Sequence, residues 1–176
     1  DSQILQAKGR QYSTSELLAD KASEELENGS FATIYLSPKD YHRIHMPCDG
    51  VLISMKYIPG NLFSVNQKSV NQVKRIFARN ERLICLFDTD FGVMAFVLVG
   101  AIFVGSMQTE WQGQITPPYS KKVINYDYKG REIRLAKGDE LGRFNMGSTV
   151  IMLLPEDFPE MNLHAGQQLK MGQALI

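Results

Sequence analysis

An excess of charge of one sign is absent from this sequence. Nineteen Lys and Arg balance nineteen Asp and Glu over 176 residues. A chain without net positive charge has no electrostatic footprint for a phosphate backbone. A nucleic-acid partner is therefore not expected, although Lys74-Arg75 and Lys121-Lys122 form short basic pairs. Cysteine is scarce: Cys48 and Cys85 lie far apart and make neither a CxxC pair nor a zinc spacing with the three histidines. Two reduced thiols of a protein on the cytosolic side are the plain reading. A metal held by His42, His45 and Cys48 would need a fourth ligand such as Asp49 within a short run, so no metal is expected. Long apolar runs are lacking too. The longest, residues 93–104, is about a dozen residues, against the roughly 20 of a membrane-spanning helix. It is rich in Val, Ile and Phe and interrupted by Gly100, which suits two buried strands. No secretory signal is visible, and the chain opens on Asp1 rather than Met, as a processed chain would. No Gly-x-Ser-x-Gly elbow supports a hydrolase triad around Ser148.

The residues present suit one compact domain over 1–176. Hydrophobic residues make up 44% and charged residues 22%, enough for a core of its own. The first forty residues read as the helical part. Ser13 and Glu16 form a capping pattern, and Leu17, Leu18, Ala22 and Leu26 recur at helical spacing over residues 15–28, ended by Asn28-Gly29. From Phe31 the chain changes to short β-rich runs: 31–36, 51–58, 81–87, 93–99, 101–104, 114–116, 122–128, 132–136, 149–154 and 173–176. A hairpin is expected at Lys129-Gly130 and one short helix between Asn66 and Phe77. The expected fold is mainly β (α+β), a compact β-barrel or sandwich with a few peripheral short helices. Gly-marked segments at 136–142 and 164–175 have the texture of biotinyl- and lipoyl-type sandwiches, but without a carrier lysine at a hairpin tip. They read as fold.

Chemistry concentrates in two places. In Met146-Gly147-Ser148-Thr149 a hydroxyl follows a glycine. With no Cβ to block the approach, Gly147 leaves its carbonyl open to attack by the Ser148 side chain. The N→O acyl shift gives an ester. β-Elimination releases the upstream chain and leaves dehydroalanine, and hydration with loss of ammonia gives a pyruvoyl cap. That cap is an electron sink. By itself so short a motif also fits a plain strand start. Upstream, Tyr41-His42-Arg43-Ile44-His45-Met46-Pro47 carries two of the three histidines, the side chains best suited to moving protons near neutral pH. Their i, i+3 spacing fits one face of a single turn, or a loop between prolines. Leu62, Phe63, Met55 and Tyr57 are candidates for an acyl pocket, and Arg79 and Arg82 for holding a phosphate or carboxylate.

Four stretches, taken in order, resemble the bacterial phosphatidylserine decarboxylases: Leu36-Ser-Pro-Lys-Asp-Tyr-His-Arg-Ile-His-Met-Pro-Cys-Asp-Gly50, Pro59-Gly-Asn-Leu-Phe-Ser-Val65, Phe77-Ala-Arg-Asn-Glu-Arg82 and Gly142-Arg-Phe-Asn-Met-Gly-Ser-Thr-Val150. The resemblance implies a proenzyme that cuts itself at Gly147–Ser148, with Met146 where the family has Leu. Residues 1–147 would be the β-chain part, and residues 148–176 the α-chain part carrying the pyruvoyl group made from Ser148. It implies His45 as the base for self-cleavage and His42 as the proton carrier in decarboxylation of phosphatidylserine to phosphatidylethanolamine through a Schiff base. It further implies an anionic or zwitterionic lipid surface as partner, a peripheral position on the cytoplasmic side of the inner membrane, and α and β chains from one proenzyme. A homodimer stays open. The family's Asp partner for His45, in a Val-Asp-Gly-type motif upstream, and the family's N-terminal apolar helices are not among these 176 residues. Two alternatives stay open beside it: a pyruvoyl decarboxylase of another amino-acid substrate, and a non-catalytic biotinyl- or lipoyl-like β-sandwich that binds a partner.

Overall fold

Two open antiparallel sheets face each other, and short helices cover the far side of the larger one. The computed structural model describes residues 2–7, 10–102 and 106–176. The large sheet runs in the order β10 (Ile124–Asp127), β5 (Gly50–Ile58), β6 (Arg82–Thr89), β7 (Gly92–Val99), β13 (Thr149–Leu154), β3 (Ser30–Tyr35), with β11 (Arg134–Leu135) also paired to β5. The small sheet is β4 (Arg43–His45), β12 (Glu140–Phe144), β8 (Met107–Thr109), β9 (Gly113–Thr116). A hairpin of β1 (Gln3–Ala7) and β2 (Arg10–Ser13) leads into α1 (Thr14–Leu18) and α2 (Ala22–Glu25). Further on come α3 (Gln67–Gln72) and α4 (Ile76–Arg79). Neither sheet closes on itself, so the expected mainly-β fold with few short helices takes its sandwich form rather than a barrel.

Burial explains which strands sit centrally. Residues of β6, β7 and β13 are buried almost without interruption, as strands covered on both faces must be. β5 instead alternates. On the face toward the small sheet, Phe87 meets Phe96 and Trp111 edge-to-face, with ring centroids 6.2 and 5.9 Å apart. On the other face Arg82 reaches the α1 backbone: its Nε donates to Leu17 O at 2.7 Å and its NH2 to Glu16 O at 3.1 Å. Further bonds to Ala78 O and Asn80 O complete its fork. Arg82 is thus a strut between sheet and helices, not an anion-binding arginine. Burial lowers its pKa to about 10. Arg79 stands over the Phe63 ring at 4.9 Å.

Several expectations are corrected by the backbone. The helix expected over 15–28 is two helices. Ala19 takes φ 46 and ends α1, and the Asp20 carboxylate accepts from Ala22 N at 3.1 Å to begin the next. The apolar stripe still works, since Leu17, Leu18, Ala22 and Leu26 are all buried. The capping box at Ser13 and Glu16 is formed as expected. Lys129-Gly130 makes no hairpin: β10 and β11 follow one another along the same edge of β5. Residues 173–176 are not a strand. The expected strand 101–104 lies partly outside the described residues, and Ala101 and Ile102 are not in a strand.

Candidate active site

The segment joining β12 to β13 crosses from the small sheet to the large one, and Gly147–Ser148 is where it enters the core. Met146 is 44% exposed, whereas Ser148 and Thr149 are fully buried two and three residues later. The crossing is pinned at each step. Asn145 N donates to Ser106 O at 3.2 Å, and Leu36 N donates to Ser148 O at 2.7 Å. The Ser148 hydroxyl donates to Val99 O. Gly147 is wedged against the chain leaving β3. A Cβ there would stand 2.4 Å from Leu36 O, 2.6 Å from Ser37 C and 2.7 Å from Pro38 N. No other residue fits this position without moving backbone. The glycine that chemistry requires for access is therefore also required by packing.

His42 and His45 do not share a face. A single turn or a loop between prolines was expected for the i, i+3 pair, but the chain is extended here: Arg43–His45 is a strand, and Phe144 N donates to His42 O at 3.1 Å. In extended chain an odd separation sends side chains to opposite sides. His42 goes with buried Ile44, toward the core. Its Nε2 is 3.1 Å from Pro38 O, and its Nδ1 is buried without a hydrogen-bond partner. Pro38 ends the short stretch 36–38 against which Gly147 packs, so His42 and Gly147 both reach that stretch of chain. His45 goes with Arg43 toward solvent. Its Nε2 lies 2.7 Å from Tyr41 Oη and its Nδ1 2.8 Å from Gly138 O, with the Tyr41 ring stacked on it. Around it Arg43, Glu140, Arg143 and Glu110 form a chain of ion pairs at 2.6 Å. Among the described residues no three His, Cys, Asp or Glu side chains gather as a metal site. Cys48 and Cys85 are both unpaired.

A cavity of about 460 Å³ opens at the end of β5 and the start of β6, lined by Tyr57, Leu62, Glu81, Tyr119 and Lys121 among others. Of the residues expected to make an acyl pocket, Tyr57 and Leu62 line it, whereas Met55 is fully buried in the core. Leu62, Ile102 and Tyr119 are exposed by 38%, 49% and 51%, and Ile102 N donates to Leu62 O at 2.9 Å. Glu81 is the polar residue that sequence reasoning passed over in favour of its arginine neighbours. It is 4% exposed, takes a hydrogen bond from Tyr57 Oη at 2.8 Å, and has its carboxyl pKa raised by burial. The available signal was an acid set, with Arg82, directly before the apolar run 83–87.

Residues 1–176 match the family described as phosphatidylserine decarboxylase. The chain is similar to a protein of Vibrio parahaemolyticus named phosphatidylserine decarboxylase proenzyme, 52% identical over 179 residues, covering 98% of this chain and 63% of that protein. Proteins of the same name from Acidovorax ebreus and Nitrosococcus oceani are 51% and 54% identical, covering 98% and 99% of this chain and 62% and 59% of theirs. The chain thus spans about three-fifths of the length of these curated relatives.

Proposed function

Because this chain belongs to the phosphatidylserine decarboxylase family, we propose that it is the self-processing part of an enzyme that converts phosphatidylserine to phosphatidylethanolamine. Residues 1–147 become one chain and Ser148 opens the other, converted to a pyruvoyl group. The observation that carries this reading is the geometry of Gly147–Ser148: a glycine with no room for a side chain, followed by a fully buried hydroxyl. The relatives' name, proenzyme, agrees with self-processing.

The Ser148 oxygen attacks the Gly147 carbonyl carbon, the Gly147–Ser148 C–N bond breaks, and the freed amine, still on Ser148, takes up the proton that the hydroxyl gave up; β-elimination of the resulting ester then parts the chains. Gly147 leaves the carbonyl open, and the Leu36–Ser148 hydrogen bond holds the downstream carbonyl still. A small keto cap fits position 148, which is sealed from water; the same 36–38 stretch that abuts Gly147 also carries the partner of His42 Nε2, whose Nδ1 is buried and unpartnered. Once formed, that cap would supply a ketone able to accept the electron pair left behind as the substrate loses CO₂. His42, on the core side, is the residue to return a proton to the product carbon. The family resemblance gives the self-cleavage base to His45. Here Tyr41 and Gly138 fix its ring on the solvent side. Exposed Leu62, Ile102 and Tyr119 around the cavity support a lipid-facing rim and a peripheral membrane position, which we assign to the cytoplasmic side of the inner membrane on the family resemblance alone. Among the described residues no helix is long and apolar enough to cross a membrane.

The test is reductive trapping. Full-length protein is incubated with headgroup-labelled phosphatidylserine and borohydride, then separated on a denaturing gel. Label on the fragment that begins at residue 148 is expected; label on neither fragment of a protein that decarboxylates would overturn the reading.

A further inference from the structure

Three strands bring Glu81, Gly100 and Ser148 into one row. Arg82 pairs with Val99, and Val99 with Thr149. One residue along, Glu81 stands opposite Gly100 and Gly100 opposite Ser148, and Gly100 N donates to Glu81 O at 2.8 Å. Residues in register across an antiparallel sheet share a face, so all three point toward the small sheet. Two strand spacings separate Glu81 from Ser148 by about 10 Å between Cα atoms. The space between belongs to a residue without a side chain, and Glu81 fills it: a Cβ on Gly100 would stand 2.5 Å from Glu81 Cγ and 2.6 Å from its Oε1. From the other side the Ser148 hydroxyl leans toward Val99 O, on the same strand as Gly100. Tyr57 Oη holds Oε2 of the carboxylate. Glu81 also lines the cavity whose rim carries Leu62 and Tyr119. Its carboxyl therefore stands between that cavity and the buried position 148.

We propose that Glu81 is a catalytic residue of this site, the group that receives the ligand's primary ammonium and takes one proton from it beside position 148. The inference rests on the proposed decarboxylase reading and extends it to the seat of the amine. An ammonium loses one N–H bond, its electron pair stays on nitrogen, and an O–H bond forms on Glu81. A cation and an anion become a free amine and a carboxylic acid, so no charge is created or lost overall. Burial favours that neutral pair over the separated ions. It also raises the carboxyl pKa toward that of an amine, which makes the transfer easier. The acid keeps the proton within reach of position 148, where it can be returned. The titratable groups that face Glu81 are Tyr57 from β5 and Tyr119 and Lys121 from the loop after β9. Burial and the neighbouring Glu81 carboxylate push the Tyr57 pKa up, so Tyr57 remains a neutral donor and Glu81 is the group that titrates.

The experiment measures binding of phosphoethanolamine and phosphocholine to the full-length Ser148→Ala protein, with and without Glu81→Gln. Cleavage and turnover play no part in the readout. Phosphoethanolamine binding at pH 7 is expected to weaken about tenfold or more in Glu81→Gln. Phosphocholine, which has no N–H to give, is expected to change less. Gly100→Ala tests the same seat with the carboxyl intact, because its Cβ must push Glu81 out of the row; the same selective loss is expected, and this variant decides the question if Glu81→Gln does not fold. Equal binding of phosphoethanolamine by parent and variant, or equal losses for both ligands, would overturn the proposal. The decarboxylase reading is decided separately, by whether the Ser148-bearing protein yields a trapped fragment.

Discussion

The strands β6, β7 and β13 are built in two different ways along their length. In the middle, Cys85, Phe96 and Met152 lie side by side, all buried and all apolar. One residue beyond the same three strands stand Glu81, Gly100 and Ser148: a carboxylate, a gap and a hydroxyl, also buried, with Glu81 at the cavity wall. The apolar rows stabilise the sandwich by close packing. The polar row costs stability, because a buried carboxyl and hydroxyl give up water for single protein partners. A protein that places such a row at a strand end, where the chain crosses between sheets, has exchanged stability for a reactive position.

The largest effect that can break this contrast is Ser148→Ala. Self-cleavage should vanish completely and the protein should run as one band on a denaturing gel, with its melting temperature nearly unchanged. Next come the histidines. If the roles implied by the resemblance hold, His45→Ala should leave the chain uncut, while His42→Ala should still cut and lose decarboxylase turnover by about 10²-fold or more. Fragment pattern and activity, read together, separate the two. If instead His42→Ala stays uncut and His45→Ala is processed, the core-side histidine is the base. Gly147→Ala should do both kinds of damage, since its Cβ lands 2.4 Å from Leu36 O. Cleavage slowed at least about tenfold and a loss of about 1–3 kcal/mol in denaturant unfolding are expected. Phe96→Ala, in the apolar row, should cost about 3–5 kcal/mol yet leave the cleavage site chemically intact in the folded fraction. The smallest effect is on pH dependence. Burial raises the Glu81 carboxyl pKa above its unfolded value. The folded state therefore binds the extra proton, and the stability this group contributes is present at low pH. It is lost as pH rises from the unfolded carboxyl range through the raised value. Glu81→Gln should remove that decline, so the variant gains on the parent toward neutral pH and not below about pH 4. Thermal melts at a series of pH values would show it.

The strands of the large sheet were legible because their signal is local. The strands Arg82–Thr89, Gly92–Val99 and Thr149–Leu154 each hold a continuous apolar run (83–87, 93–99 and 150–154). The capping box at Ser13 was legible for the same reason. What was not legible depends on partners far away in sequence. The strand Arg43–His45 is only three residues long and exists because β12, about a hundred residues on, pairs with it. That pairing sends His42 and His45 to opposite sides, which spacing alone could not show. Lys129-Gly130 has hairpin composition, yet β5 outcompetes the local turn for both flanking strands. Ser148 and His42 stood out as residue types in a motif. Glu81 did not, because its importance lies in a register that sets it opposite a glycine and then a serine from two other strands.

The central claim is that the peptide bond between Gly147 and Ser148 is cut by the chain itself. Intact-mass measurement of the purified full-length protein tests it most directly. The account predicts two polypeptides, the smaller beginning at residue 148 and lighter by one ammonia than a serine-started fragment. A single uncut chain in a preparation that decarboxylates, or a fragment with a free serine amine, would contradict it.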